Sequence, residues 1–235
     1  LPMTLLRGYG ENMTLDDWLH KRIFPFEAKM TGEDIYWSTL LGLAECLRFG
    51  TTSVSDMYYF SDDICQCVAD TGIKGNISRS ITVFDEDYCF DTHAPSQEVV
   101  ALTEKWHGYD NGRIQVEASI HAEYTSFDKV WHALAEYAIS TGIGMQVHVS
   151  ETQNEQDTCL EKYGLTPAQL LDVYHVWDTR ALAAHCVWLT DEDMDLFARR
   201  GVTAVHCPNS NLKLASGIAP VRKMMDKGMN VALGT

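Results

Sequence analysis

Helical and strand-like hydrophobic patterns alternate along nearly the whole chain. Thr31-Gly32-Glu33-Asp34 has the form of a capping box, with Asp where Glu or Gln is usual. Apolar residues then recur at Ile35, Leu40, Leu43, Ala44 and Leu47, which is helical spacing, and Gly50 is the expected stop. Thr51–Ser55 reads as a short strand. The same unit returns further on. Helices over 62–71, 96–106, 127–141, 191–200 and 219–227, and helical sequence between 151 and 173, precede strands at 75–83, 114–121, 145–149, 181–185, 202–206 and 230–234. Most of these helices run into a glycine, as at Gly72, Gly142, Gly201 and Gly228.

Short apolar strands that alternate with helices imply parallel pairing and an α/β fold. A doubly wound sheet and a barrel both accommodate the pattern. Position favours the barrel: His121, His148, His185 and His206 each stand at the C-terminal end of an expected strand, the face on which barrels carry their chemistry. An open sheet would gather its polar residues at one switch point. The expectation is a (β/α)8 TIM-type barrel with seven of its strands in residues 1–235, read as strands two to eight of a partial catalytic barrel.

The length of 235 residues suits a single barrel unit, which commonly runs ~200–250 residues. Lys and Arg number 18 against 33 Asp and Glu, a net charge of −15, which works against phosphate backbones and anionic lipid. Nucleic-acid and membrane-surface roles are therefore disfavoured, and no apolar run approaches the ~18 residues of a membrane span. The seven cysteines, an odd number in a chain this long, suggest a reducing, cytoplasmic setting rather than a disulfide framework. The chain opens at Leu1-Pro2-Met3 and stops in the apolar run Val231–Thr235, so both ends read as interrupted.

Candidate chemistry concentrates at the strand ends. His148 closes an apolar strand and Glu151 follows three residues on; a neutral imidazole is the commonest metal ligand, and a carboxylate there can serve as an acid/base. A hydrogen-bonded strand-end histidine beside a helix-starting glutamate fits the same local pattern about as well. His185 after Ala181–Ala184 gains weight from His148 one strand earlier. His121 can hold a polar group of a substrate or satisfy a loop carbonyl. Arg79, in a strand otherwise of Ile and Ser, needs a partner, either a substrate group or a carboxylate. His206-Cys207-Pro208-Asn209-Ser210-Asn211 reads as a polar turn that shapes a site more than it reacts. Cys186 and Cys207 each follow a histidine, but strand neighbours face opposite sides, so the pairs should not meet.

Four stretches carry a family resemblance: Pro2–Gly8, Val147-His148-Val149-Ser150-Glu151-Thr152, Ala184-His185-Cys186-Val187-Trp188-Leu189, and the long run His206–Gly217. On these the chain resembles the amidohydrolase superfamily, and within it the group of 5-methylthioadenosine/S-adenosylhomocysteine deaminases with their chlorohydrolase-like relatives. The resemblance implies a (β/α)8 barrel plus a small β-sandwich built from both chain ends. It implies that His148 is a metal ligand, that Glu151 is the acid/base, and that His185 steadies the attacking water and the tetrahedral centre. Glu27, Arg79 and His121 are similar in position to family substrate contacts, Glu27 to the acid that holds ribose hydroxyls. Glu123 stands where the family often has Pro. The family's first-strand His-x-His falls just before Leu1 and its eighth-strand Asp just after Thr235, which leaves His148 as the single metal ligand within the chain.

The reaction so implied is metal-dependent hydrolytic deamination of an adenosine-type nucleoside, with one divalent ion, zinc in the first instance. Guanine or a triazine as substrate, or a non-catalytic barrel segment, are the alternatives. Superfamily members often form dimers or tetramers, so a homo-oligomer is compatible with the resemblance. Because the other metal ligands are expected outside residues 1–235, the purified 235-residue chain should hold zinc weakly and turn over nothing. Metal analysis checks this, and stoichiometric, tightly held zinc would contradict it.

Overall fold

The computed structural model describes all residues from 1 to 235. It contains seven parallel strands: β1 (Ser53–Tyr58), β2 (Lys74–Arg79), β3 (Ile114–Ile120), β4 (Gly144–Val149), β5 (Ala181–His185), β6 (Thr203–His206) and β7 (Asn230–Leu233). Hydrogen-bonded order follows chain order from β1 to β7. A doubly wound sheet reverses its strand order at a switch point, so the uninterrupted order identifies the barrel-type (β/α) topology. The chain divides into two compact units, Leu1–Ser80 with Gln97–Glu117, and Ile81–Ser96 with Ala118–Thr235.

In the first unit, helix α1 (Gly32–Arg48) starts where the sequence indicated. The Thr31 hydroxyl accepts from the Asp34 N–H, and the Asp34 carboxylate accepts from the Thr31 N–H, so Asp completes the capping box. Helix α2 (Ser61–Thr71) leads into β2, and α3 (Ala94–Trp106) precedes β3. Ile35 and Leu43 of α1, Ile64 and Val68 of α2, Ile77 of β2, and Ile114 and Val116 of β3 form one core, all buried. Each such side chain is worth ~1.5–3 kcal/mol of transfer free energy. β1 lies further along the chain than the sequence suggested, because Asp56 and Met57 pair with Ile77 and Ser78. Neighbouring-strand pairing overrides the poor strand preference of Asp.

In the second unit, α4 (Asp128–Thr141) ends on Gly142 at φ +74°, a conformation that costs a residue with a Cβ. The helical stretch expected between 151 and 173 is two helices, α5 (Gln153–Tyr163) and α6 (Pro167–Val173). The break comes at Gly164, and Thr166 restarts the chain with a capping box to Gln169 and Pro167 in the first turn. Helix α7 (Asp191–Arg200) precedes β6, and the short α8 (Pro208–Lys213) and α9 (Val221–Asp226) lead to β7. Trp131, Leu134 and Ala138 of α4, Met145 and Val147 of β4, and Trp177 and Phe197 fill this unit's interior. The last two rings meet edge to face at 5.0 Å.

Gly75 marks the tightest packing of β2 on α2. A Cβ there would meet Val68 Cγ1 at 2.7 Å. Gly75→Ala should destabilise the protein by about 1–3 kcal/mol through overpacking, read as a lowered denaturation midpoint with unchanged m-value.

Candidate active site

The second unit gathers four of the residues singled out from the sequence. Parallel register sets His148 beside Ala184 and Val149 beside His185, so two strands deliver their histidines at one level. The His148 and His185 rings stack with centroids 5.3 Å apart and planes 28° apart. The His121 ring, just past β3, lies 4.8 Å from that of His148. The His121 carbonyl oxygen accepts twice from His148, from its backbone N–H at 3.0 Å and from its Nδ1 at 2.7 Å. A carbonyl only accepts, so the His148 proton sits on Nδ1 and the Nε2 lone pair is left for a ligand. The His185 Nδ1–H donates to Asn211 Oδ1 at 2.7 Å.

Burial keeps this cluster uncharged. Desolvation, then the neighbouring His185, pushes His148 down to about 4, against the opposing pull of Glu151 and the His121 carbonyl. Desolvation, then His148 and His185, pushes His121 down to about 3. His185 is lowered by burial, with the Asn211 bond opposing. Glu151, also buried, is shifted the other way: desolvation raises it, while His148 and the Ser216 hydroxyl hold it back. Its Oε1 accepts from Ser216 Oγ at 3.2 Å and stands 3.6 Å from His185 Nδ1, too long for a hydrogen bond.

The turns that aim these groups are unusual. Ser150, His185 and Cys186 have φ of +50°, +72° and +52°, left-handed without being glycine. Such residues cost about 1–3 kcal/mol each and collect at functional sites. Cross-strand bonds hold them, with Cys186 N–H donating to Val149 O at 3.0 Å and Trp188 N–H to Ser150 O at 2.9 Å. The Glu155 carboxylate accepts from the N–H groups of Ser150 and Glu151 at 2.5 and 2.7 Å.

Sequence reasoning missed three of these supports. Asn211 and Ser216 lie within the polar run singled out as site-shaping, but their individual roles needed coordinates. Glu155 stands at a helix start beside Thr152, where an acid has an ordinary capping reading. Cys186 and Cys207 are buried and their thiols pushed upward, so neither is a thiolate near neutral pH. His206 ends β6, and its Nδ1 is buried without a hydrogen-bond partner.

Glu27 and Arg79 belong to the first unit and have their own partners there. The Tyr58 hydroxyl donates to Glu27 Oε1 at 2.5 Å, and burial raises the Glu27 carboxyl. Arg79 pairs through Nε with Glu98, donates to the Ser80 carbonyl, and lies over the Tyr59 ring at 5.0 Å. Arg79 therefore has the carboxylate partner, Glu98, that was one of the two open to it from the sequence.

Donor chemistry makes His148 a fitting metal ligand. No group of three or more His, Cys, Asp and Glu side chains in the chain is arranged to hold an ion by itself.

The model of the amidohydrolase family matches residues 1–235. The chain belongs to that family. It is 40% identical over its full length to the 5-methylthioadenosine/S-adenosylhomocysteine deaminase of Dictyoglomus thermophilum and 43% identical to that of Caldanaerobacter subterraneus subsp. tengcongensis, covering 54% of each. Among solved structures, an adenosine deaminase from Xanthomonas campestris with bound zinc superposes with a TM-score of 0.92 at 32% identity, covering the whole of this chain and 53% of that one. A guanine deaminase from C. acetobutylicum with bound guanine shares the fold, with a TM-score of 0.88 at 23% identity over 97% of this chain and 56% of that one. This amidohydrolase chain thus spans about half the length of the curated relatives it matches.

Asn211 is the one hydrogen-bond acceptor for the buried His185 Nδ1–H. Asn211→Ala leaves that donor unsatisfied and should cost about 1–3 kcal/mol of stability, measured by chemical denaturation.

Proposed function

We propose that the protein carrying this chain is a metal-dependent hydrolytic deaminase of adenosine-type nucleosides, releasing ammonia and leaving the inosine-type product. The observation that carries the reading is the grouping of one ligand-type imidazole, His148, with a second imidazole, His185, and a buried carboxyl, Glu151. Two full-length relatives named as 5-methylthioadenosine/S-adenosylhomocysteine deaminases support the substrate class. The zinc in the adenosine deaminase from Xanthomonas campestris supports zinc as the ion.

His148 would hold the ion through Nε2 as one ligand of its set. Bound there, a divalent ion supplies Lewis acidity and lowers the pKa of water from ~15.7 toward ~7. Glu151 moves the protons: its carboxylate takes one from water and delivers it to the ring nitrogen beside the reacting carbon, so the purine ring acquires no full negative charge, and a second passes from the added hydroxyl to the amine, whose bond to carbon breaks as ammonia leaves. Burial raises this carboxyl above the ordinary carboxylate range, which makes it a better proton acceptor than an exposed glutamate. His185, its Nδ1–H engaged by Asn211, has an Nε2 lone pair left to accept a hydrogen bond from the attacking water and so orient it. His121 offers a neutral ring whose buried Nδ1 has no hydrogen-bond partner, suited to a substrate polar atom. Glu27 and Arg79 are assigned to the substrate on family resemblance, Glu27 to the ribose diol.

A strongly acidic chain with no helix long and apolar enough to cross a membrane fits a small-molecule substrate in the cytoplasm better than nucleic acid or lipid. Guanine or a triazine remains the second reading of the same chemistry, and a panel of ring amines with and without ribose separates the two. In the full-length gene product, Glu151→Gln should lower kcat by about 10²–10⁴-fold with zinc content unchanged. Near-normal turnover would remove Glu151 from the proton-carrying role.

A further inference from the structure

Glu155 is buried to the same degree as Glu151, yet the reaction has no use for a second acid there. Its two oxygens are both committed, Oε1 to the Ser150 N–H and Oε2 to the Glu151 N–H. These are the backbone groups of the left-handed turn that presents the Glu151 side chain. At the third helical position behind the Thr152 cap, a glutamate ordinarily reaches back to the cap residue's own N–H. Glu155 reaches past it to the two residues before. Glu123, in the 3-10 turn Glu123–Thr125 after β3, brings a second buried carboxyl within hydrogen-bonding reach of Glu155. Its Oε2 is buried and receives no N–H or O–H donor.

Two carboxylates cannot lie in contact in an apolar interior unless one keeps a proton. The titratable groups set against the pair are Lys162 and Cys159 of α5, Glu151 in the turn, and Cys186 after β5. Only Lys162 among them is cationic. Burial and the neighbouring Glu123 push Glu155 upward, and its two backbone N–H donors oppose them; Glu123 has no such donors on its buried Oε2, so the proton is assigned to Glu123.

We propose that Glu123 and Glu155 share one proton across a buried carboxyl pair, and that Glu155, held anionic by this partner, is the positioning residue that fixes the Ser150–Glu151 turn. The proposal rests on the reading of Glu151 as proton carrier for its catalytic half; the shared proton stands independently of it. Burial raises Glu123 to about 7, against ~4.3 for an exposed glutamate. The native protein then binds more protons than the unfolded chain between those values. Stability contributed by the pair is present at acid pH and lost as pH rises through about 7, when two anions face each other.

Two variants of the full-length gene product test this. Glu155→Gln turns one acceptor oxygen into an amide that opposes a backbone N–H. It should lower kcat by about 100-fold or more while KM stays within about threefold. Glu123→Gln is a permanent stand-in for the protonated partner. It should move the alkaline decline of kcat upward by about one pH unit, and raise the melting temperature above wild type at about pH 8 but not at about pH 5. A folded Glu155→Gln variant with kcat within about threefold of wild type would overturn the positioning role. Superposable pH profiles of kcat and melting temperature for Glu123→Gln would overturn the shared proton, and they decide the matter even where Glu155→Gln does not fold. Retained turnover in Glu151→Gln would instead remove the functional reading while leaving the melting comparison intact.

Discussion

Desolvation of the histidine cluster is the constraint on which the site depends. The rings of His121 and His185 each lie about 5 Å from that of His148, with His185 buried and the other two partly buried. Three imidazolium ions could not coexist there. The same burial that would penalise charge keeps the rings neutral, and neutrality gives an imidazole a lone pair for a metal or a water. Two of the rings are fixed by a specific acceptor, the His121 carbonyl for His148 and the Asn211 side chain for His185. Packing, protonation state and tautomer are thus set by one arrangement.

Glu151 is subject to the same burial with the opposite sign. Removing a carboxylate from water raises it, while the Ser216 hydroxyl and the neighbouring imidazole partly restore the anion. A group balanced in this way suits proton transfer in both directions. Its backbone sits in a strained turn, and strain of that kind persists only where surrounding bonds over-determine it. The Glu155 carboxylate and the cross-strand bonds from Cys186 and Trp188 supply those restraints. The strand ends therefore deliver the reactive side chains, and the turns beyond them set their direction.

Legibility in the sequence followed the physics of each feature. The alternation of elements was legible because amphipathic spacing and glycine stops are local properties, and the strand order from β1 to β7 bears out the barrel reading. β1 was misjudged by about three residues because Asp56 and Met57 lack strand character, and their pairing with β2 decided the outcome. Arg79 was legible as a residue that needs a partner, but the partner, Glu98, lies on a separate element that sequence spacing does not connect to it. Glu155 was illegible as part of the site because its pattern beside Thr152 is that of an ordinary helix cap.

By itself the sequence determined the α/β class, the family, and the residue types at the strand ends, since these depend on local periodicity and short contiguous motifs. Only the tertiary structure decided which ring nitrogen of His148 and of His185 bears its proton, and that Glu151 rests against Ser216 rather than an arginine or lysine. It also decided that Glu123 and Glu155, far apart in the chain, meet in one buried pair. The reason is that protonation and hydrogen-bond partnership depend on burial and on atoms brought together from distant segments, and neither quantity exists until the chain has folded.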